Sequence, residues 1–365
     1  MSRGTLARLL GGGLLALLAA CGDARPTAPR QFAVGITTRD LVDDSRSTPA
    51  NGDVPASPSR RLPTDIWYPA IPGPAGAGVD ANGAMRDAPL DPSGAPYPLV
   101  FFVHGSMSFR EQSTFLTTAL ARAGYVVAAA DFPLTAASTP GGPSDLHFDL
   151  QVGDVAFLAD RLAAASRDAT DLLARAIDPA GGYAVSGHST GGTVALLAAY
   201  APDMHDPRVR AAIALAPCAC FLDPPFFRTR SVPLLVMAGT DDLLVPYSDN
   251  GRRAYDLAPA PKVFALLIGG THLFFTDFDI PDNLFPLEPT TSDSDIAVTV
   301  RRYGTGQPCN SIPAPGADPL TTIDAQHART TALVTAFADR VFRRDTRTLA
   351  QLEAAHDPLL VISSQ

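Results

Sequence analysis

The chain has 365 residues, 46% of them hydrophobic and 18% charged, with 28 basic against 37 acidic side chains and a formal net charge of −9. That is enough apolar material for one large core. The sequence holds no basic cluster to neutralise phosphates, which argues against a nucleic-acid partner.

The first twenty residues, MSRGTLARLLGGGLLALLAA, set Arg3 and Arg8 ahead of an apolar stretch from Leu9 to Ala20 that is too short to span a bilayer. It ends in Leu18-Ala19-Ala20-Cys21, which resembles the lipobox of bacterial lipoproteins. The resemblance implies a signal peptide over residues 1–21 ending at a lipidated Cys21. The mature chain is then an exported lipoprotein, anchored to a membrane and facing the periplasm or the cell surface. Two or three acyl chains anchor stably where one binds only marginally. An ordinary secretory signal with a chance cysteine is the alternative, and it too exports the chain. Residues 22–30, GDARPTAPR, read as a short polar tether.

Two early strands are expected in QFAVGITTRDLVDDSR and RRLPTDIWYPA, where β-branched and aromatic residues sit between turn formers. From Ile71 to Pro98 the composition shifts to Pro, Gly and Ala, as in a surface loop. A regular alternation then begins. Leu99–Val103 is a continuous apolar run, expected of a strand buried on both faces. EQSTFLTTALARAG has helical spacing, YVVAAADFP is a strand, and DLQVGDVAFLADRLAAAS carries an apolar stripe of Val152, Val155, Phe157, Leu158 and Leu162. A strand over Tyr183–Ser186 leads through a sharp turn into a helix from about Gly191. VRAAIALAP, VPLLVMAGT and KVFALLIGG are further buried strands, and ARTTALVTAFADRVFRRD is an amphipathic helix. The alternation predicts an α/β chain with a mostly parallel central sheet and helices on both faces. A Pro/Asp/Thr-rich insertion at about 276–322 interrupts it, either as a rim over a pocket or as a solvated loop.

With Cys21 lipidated, Cys218, Cys220 and Cys309 form an odd set. Cys218 and Cys220 are one residue apart, so a bond between them would be strained. A bridge from one of the two to Cys309 is expected in an oxidising compartment, with three buried thiols as the alternative. No Cys or His spacing points to a metal.

Gly187-His188-Ser189-Thr190-Gly191 matches G-x-S-x-G between an apolar strand and a helix. The glycines permit a tight strand–turn–helix junction that exposes a serine hydroxyl at the carboxyl ends of the strands. A nucleophile needs a base and an orienting acid at the ends of other strands. VPLLVMAGTDDLLVP ends at Asp241 and Asp242, and KVFALLIGGTHLFF ends at His272. His272 is placed to take the Ser189 proton, with one aspartate fixing its tautomer. The backbone N–H groups of Ser106, after LVFFVHG, and of Thr190 are the expected oxyanion donors. His104, His188 and Asp154 are expected to be structural, Asp154 at the surface or in helix packing.

The order Ser, Asp, His in this setting resembles the serine α/β-hydrolases. The segments DIWYPA, VHGSMSFREQSTFLTTALARAGYVVAAADFP, GDVAFLADRL, GHSTGG, GTDDLLVP and GGTHLFF are similar to the branch that holds platelet-activating-factor acetylhydrolases, predicted dienelactone hydrolases, chlorophyllases and cutinase-like polyester hydrolases. The resemblance implies the α/β-hydrolase fold in a single domain over 31–350, followed by a tail over 351–365. It assigns the triad acid to Asp242 through the pattern G-x-x-D-x-x-V-P, and the first oxyanion donor to Ser106. Two features depart from the pattern: dienelactone hydrolases use a cysteine nucleophile where this chain has Ser189, and the insertion after His272 is longer than in compact members. The expectation is a serine esterase acting on a small-molecule, lipid or polymer ester with no metal or organic cofactor. Acyl transfer by the same triad and a non-catalytic hydrolase-like lipoprotein are the alternatives.

Overall fold

Apolar runs too short for helices and buried on every side form the centre of the molecule. In the computed structural model, which describes residues 30–73, 78–282 and 319–365, every residue of β4 (Leu99–Val103) and β5 (Val126–Ala130) is buried. Cys21, Cys309, the expected signal peptide over 1–21 and most of the insertion lie outside the described residues.

The other strands are β1 (Ala33–Asp43), β2 (Arg60–Ala70), β3 (Ala84–Arg86), β6 (Tyr183–His188), β7 (Val209–Leu215), β8 (Leu234–Gly239), β9 (Lys262–Leu267) and β10 (Leu360–Ser364). They join in one sheet in the order β10-β9-β8-β7-β6-β4-β5-β2-β1-β3. The six strands from β9 to β5 run parallel to one another. β2 lies antiparallel to β5, and β1 antiparallel to β2.

The helices are α1 (Thr114–Arg122), α2 (Gln151–Arg167), α3 (Thr190–Tyr200), α4 (Gly251–Leu257), α5 (Ile323–Phe342) and α6 (Arg347–Ala354). Side chains alternate across β4 because the strand period is two. Leu99, Phe101 and Val103 share a core with the apolar stripes of α2 and α3. Val100 and Phe102 share the other with Leu116 and Leu120 of α1 and Leu333 and Phe337 of α5. The sheet is thus covered on both faces, as the alternation requires.

Three details differ from the sequence reading. The Pro/Gly-rich stretch before β4 contains the short strand β3, paired parallel with β1. Residues 351–365 do not trail beyond the domain: they finish α6 and form β10, an edge strand antiparallel to β9. Its alternation, with Leu360 and Ile362 packed inward and Val361 exposed, is too short to announce itself in sequence. Asp154 is not at the surface but fully buried, where Arg60 donates Nε and Nη2 at 2.6 Å each and Arg46 donates Nη2 at 2.7 Å. These bonds tie α2 to β2 and to the loop after β1.

Arg60 is equally buried, so Asp154→Ala leaves an uncompensated guanidinium inside the protein. Loss of about 3–5 kcal/mol of unfolding free energy is expected from denaturant titration. A loss below about 1 kcal/mol, typical of an exposed pair, would contradict this account.

Candidate active site

The carboxyl ends of the parallel strands carry the chemistry-bearing residues. Between β6 and α3 the chain turns at Ser189, whose backbone adopts φ 56° and ψ −124°. A non-glycine residue held there stores about 1–3 kcal/mol of strain. The surrounding contacts enforce it. A Cβ on Gly187 would lie 2.2 Å from the Gly191 carbonyl oxygen, and one on Gly191 would lie 2.1 Å from that of Val103. Helix α3 therefore backs directly onto β4 and β6, and its first turn presents amides with no intrahelical acceptor.

The neighbouring strands β8 and β9 deliver the other two groups. Asp242 and His272 are both buried, and His272 Nδ1 lies 2.8 Å from Asp242 Oδ2. Asp242 Oδ1 accepts the backbone N–H groups of Val245 at 2.6 Å and Leu244 at 3.0 Å. With Nδ1 committed to the carboxylate, Nε2 is the nitrogen free to act as a base. The His272 ring packs 4.4 Å from that of His188, the residue preceding Ser189. Burial pulls the imidazole pKa down. The charge and hydrogen bond of Asp242 outweigh that, Asp282 adds to them, and His272 stands above its ordinary value. Asp241, the other carboxylate of the pair, accepts from Thr240 Oγ1 instead.

The turn after β4 brings Gly105 so near that a Cβ there would meet Ser189 Cβ at 3.2 Å. The Gly105 N–H is taken by Gln112 Oε1 at 2.7 Å, and that of Met107 by the Thr135 carbonyl at 3.0 Å. The Ser106 amide between them has no acceptor among the described residues, and it faces a turn shared with Ser189. The Thr190 amide opens α3. The two positions expected as oxyanion donors thus lie one after Gly105, which approaches Ser189, and one directly after Ser189.

The two motif histidines are structural. His104 Nδ1 donates to the Gly105 carbonyl at 2.7 Å, and its Nε2 accepts the Phe132 amide at 3.3 Å. His188 Nδ1 accepts from Gln112 Nε2 at 3.0 Å, and burial keeps the ring neutral by driving its pKa well down. Of the paired cysteines, Cys220 is disulfide-bonded and Cys218 is a free thiol. Burial pushes the Cys218 thiol pKa up to about 12. It therefore stays a thiol and is no nucleophile.

The profile of the alpha/beta hydrolase family matches residues 100–362, which span every strand from β4 and all of the residues above. The chain belongs to this family. Among solved structures, this hydrolase is similar to the ferulic acid esterase from Streptomyces cinnamoneus, with a TM-score of 0.64 and 25% identity over 93% of this chain and 98% of that one. No curated protein matches its sequence. Family and neighbour together support ester hydrolysis.

Three residues that position this hydrolase's site carry no sequence signal. Gln112, buried at the start of α1, fixes the Gly105 amide and the His188 ring together. Asp145 accepts the Ser106 hydroxyl at 2.5 Å. Asp282, 1% exposed, accepts the amides of His272 at 2.8 Å, Leu273 at 3.0 Å and Leu243 at 3.1 Å. It clamps the loop after β8 to the loop after β9. In sequence it is one of several aspartates in an Asp-rich stretch.

Asp282→Asn removes a negative charge beside His272 and one strong acceptor. Activity on an ester is expected to fall about tenfold or more, and the alkaline-rising limb of its pH profile to move to lower pH, because a group that raises the His272 pKa is gone. An unmoved limb with full activity would show that Asp282 has no such part.

Proposed function

We propose that this hydrolase cleaves carboxylic esters through an acyl-enzyme, with Ser189 as nucleophile, His272 as general base and acid, and Asp242 as the orienting acid. The observation that carries the reading is the buried Asp242–His272 hydrogen bond beside an elbow that holds Ser189 at φ 56°. His272 Nε2 takes the Ser189 proton as Oγ attacks the ester carbonyl. The oxyanion lodges against the Ser106 and Thr190 amides, each such donor being worth about 2.7–4 kcal/mol to the transition state. Collapse expels the alcohol with the proton from His272. Water then attacks the acyl-enzyme by the same route, releasing the acid and restoring Ser189.

The acyl group's identity rests on coarser support. The ferulic acid esterase neighbour favours an aromatic acyl ester. The motif resemblance to acetylhydrolases and polyester hydrolases favours short or polymeric esters. Phe109 and Phe278, edge to face with centroids 5.8 Å apart, join the turn after β4 to the segment after His272. They offer an apolar flank to either. Phe132, Phe221 and Phe274 are buried in the core.

Ser189→Ala and His272→Ala are each expected to lower turnover by about 10⁶-fold, as in the subtilisin series, with fluorophosphonate labelling lost in Ser189→Ala. Wild-type activity on feruloyl, p-nitrophenyl, phospholipid and polyester substrates is expected to rise with pH through a pKa above the ordinary histidine value, since only neutral imidazole accepts the serine proton. A flat profile between about pH 5 and 8 would remove His272 from the mechanism.

We also propose that the mature chain begins at a lipidated Cys21 and reaches its ester from a membrane surface. Mass spectrometry of the membrane fraction is expected to find acyl groups on Cys21, and Cys21→Ser to release the protein. A membrane-bound Cys21→Ser chain would refute the anchor.

A further inference from the structure

The amino ends of the parallel strands, opposite Ser189, hold a second concave site. Where β7, β8 and β9 begin and α5 ends, a cavity of about 470 Å³ opens. Arg210 of β7, Arg230 before β8, Lys262 at the start of β9 and Arg340 of α5 line it, over a floor that includes Val263 and Phe337. Not one of its lining residues carries a carboxylate.

That gathering runs against the composition, in which acids outnumber bases by 37 to 28. Several arginines elsewhere in the fold are neutralised, as Arg60 is by Asp154, Arg208 by Asp206 and Arg343 by Asp339. Arg230 instead donates to the backbone carbonyls of Asp206 at 2.9 Å, Pro207 at 3.3 Å and Ala199 at 3.4 Å. Neutral acceptors fix its guanidinium without cancelling the charge. The Lys262 ammonium, with the residue only 5% exposed, is likewise held by the Tyr255 carbonyl at 2.7 Å. Among the described residues none of the four cations forms a salt bridge with a side-chain carboxylate, so together they favour a positive potential in the cavity.

We propose that this groove binds a phosphate-bearing ligand through Arg210, Arg230 and Arg340, the phosphate coming from a phospholipid headgroup. Guanidinium forks match phosphate oxygens in pairs, and several of them around one cavity suit a tetrahedral anion. The volume falls in the range of small-molecule sites, about 300–1,000 Å³, well beyond what a bare ion fills. The site's position supports a lipid source. Strand β1 runs in the same direction as β5 and begins just after Phe32, whose N–H donates to the Arg122 carbonyl ahead of β5. The chain therefore enters the sheet at its amino-end side. Under the proposed lipidation of Cys21, Arg30, the described residue nearest the anchor in sequence, leads into that end of β1.

The test is calorimetric titration of the full-length protein carrying Ser189→Ala, so that no ester in the probe is cleaved. The probes are inorganic phosphate, a short-chain phosphatidylglycerol below its micelle concentration, and the zwitterionic phosphatidylcholine of the same chain length. Saturable binding of phosphatidylglycerol, weakened by added salt, is expected to drop at least tenfold in Arg210→Ala/Arg340→Ala. The same double substitution with Ser189 intact is expected to hydrolyse a soluble p-nitrophenyl ester at the wild-type rate, which reports an undamaged fold. Tighter binding of phosphatidylglycerol than of phosphate upholds the headgroup as source. Equal affinities uphold the anion site and assign it to free phosphate. No heat with either anion, or unchanged affinity in the double variant, overturns the proposal.

Discussion

Helix α3 presses onto β4 and β6 so closely that no side chain fits at residues 187 or 191. The turn between β6 and α3 is left with one solution, a left-handed backbone at Ser189 that aims the residue away from the sheet. From that contact follow the half-buried Ser189, the helix amino end beside it and the near approach of Gly105. Strain at such a position survives only where the neighbouring packing over-determines it. Here two strands and a helix do so.

The remaining groups are fixed by side chains reaching to backbone across long stretches of chain. Asp242 commits one oxygen to two amides and the other to His272. Asp282 binds both the loop after β8 and the loop after β9. Gln112 spans the Gly105 turn and His188. Hydrogen bonds to a buried carboxylate contribute about 1.5–3 kcal/mol each and lose more when one partner is removed. The imidazole thus keeps one tautomer and one orientation because both of its neighbouring loops are pinned, a form of preorganisation that requires no movement when charge develops.

The fold was legible because it is periodic. Buried runs such as Leu99–Val103 and the stripe on α2 repeat at the spacing of their elements, and their order implies the parallel sheet. Asp242 and His272 stand at the ends of adjacent strands, where the sequence put them, but spacing alone did not separate Asp241 from Asp242, since both follow the same strand, and only the resemblance to the family pattern chose between them. Gln112, Asp145 and Asp282 were invisible for a related reason: a bond to a distant amide leaves no spacing to read. The groove at the amino ends was hidden more deeply still. Arg210, Arg230, Lys262 and Arg340 are scattered over 131 positions of an acidic chain, and only the convergence of β7, β9 and α5 makes a cluster of them.

A sheet of parallel strands also separates what can vary from what cannot. The insertion after His272 departs at Asp282 and rejoins near Pro319, where the Thr321 N–H meets the Gly269 carbonyl at 2.9 Å, so both of its stems are stitched to the loop that bears the imidazole. The described strand pairings and both described cores draw on residues outside the segment between those stems.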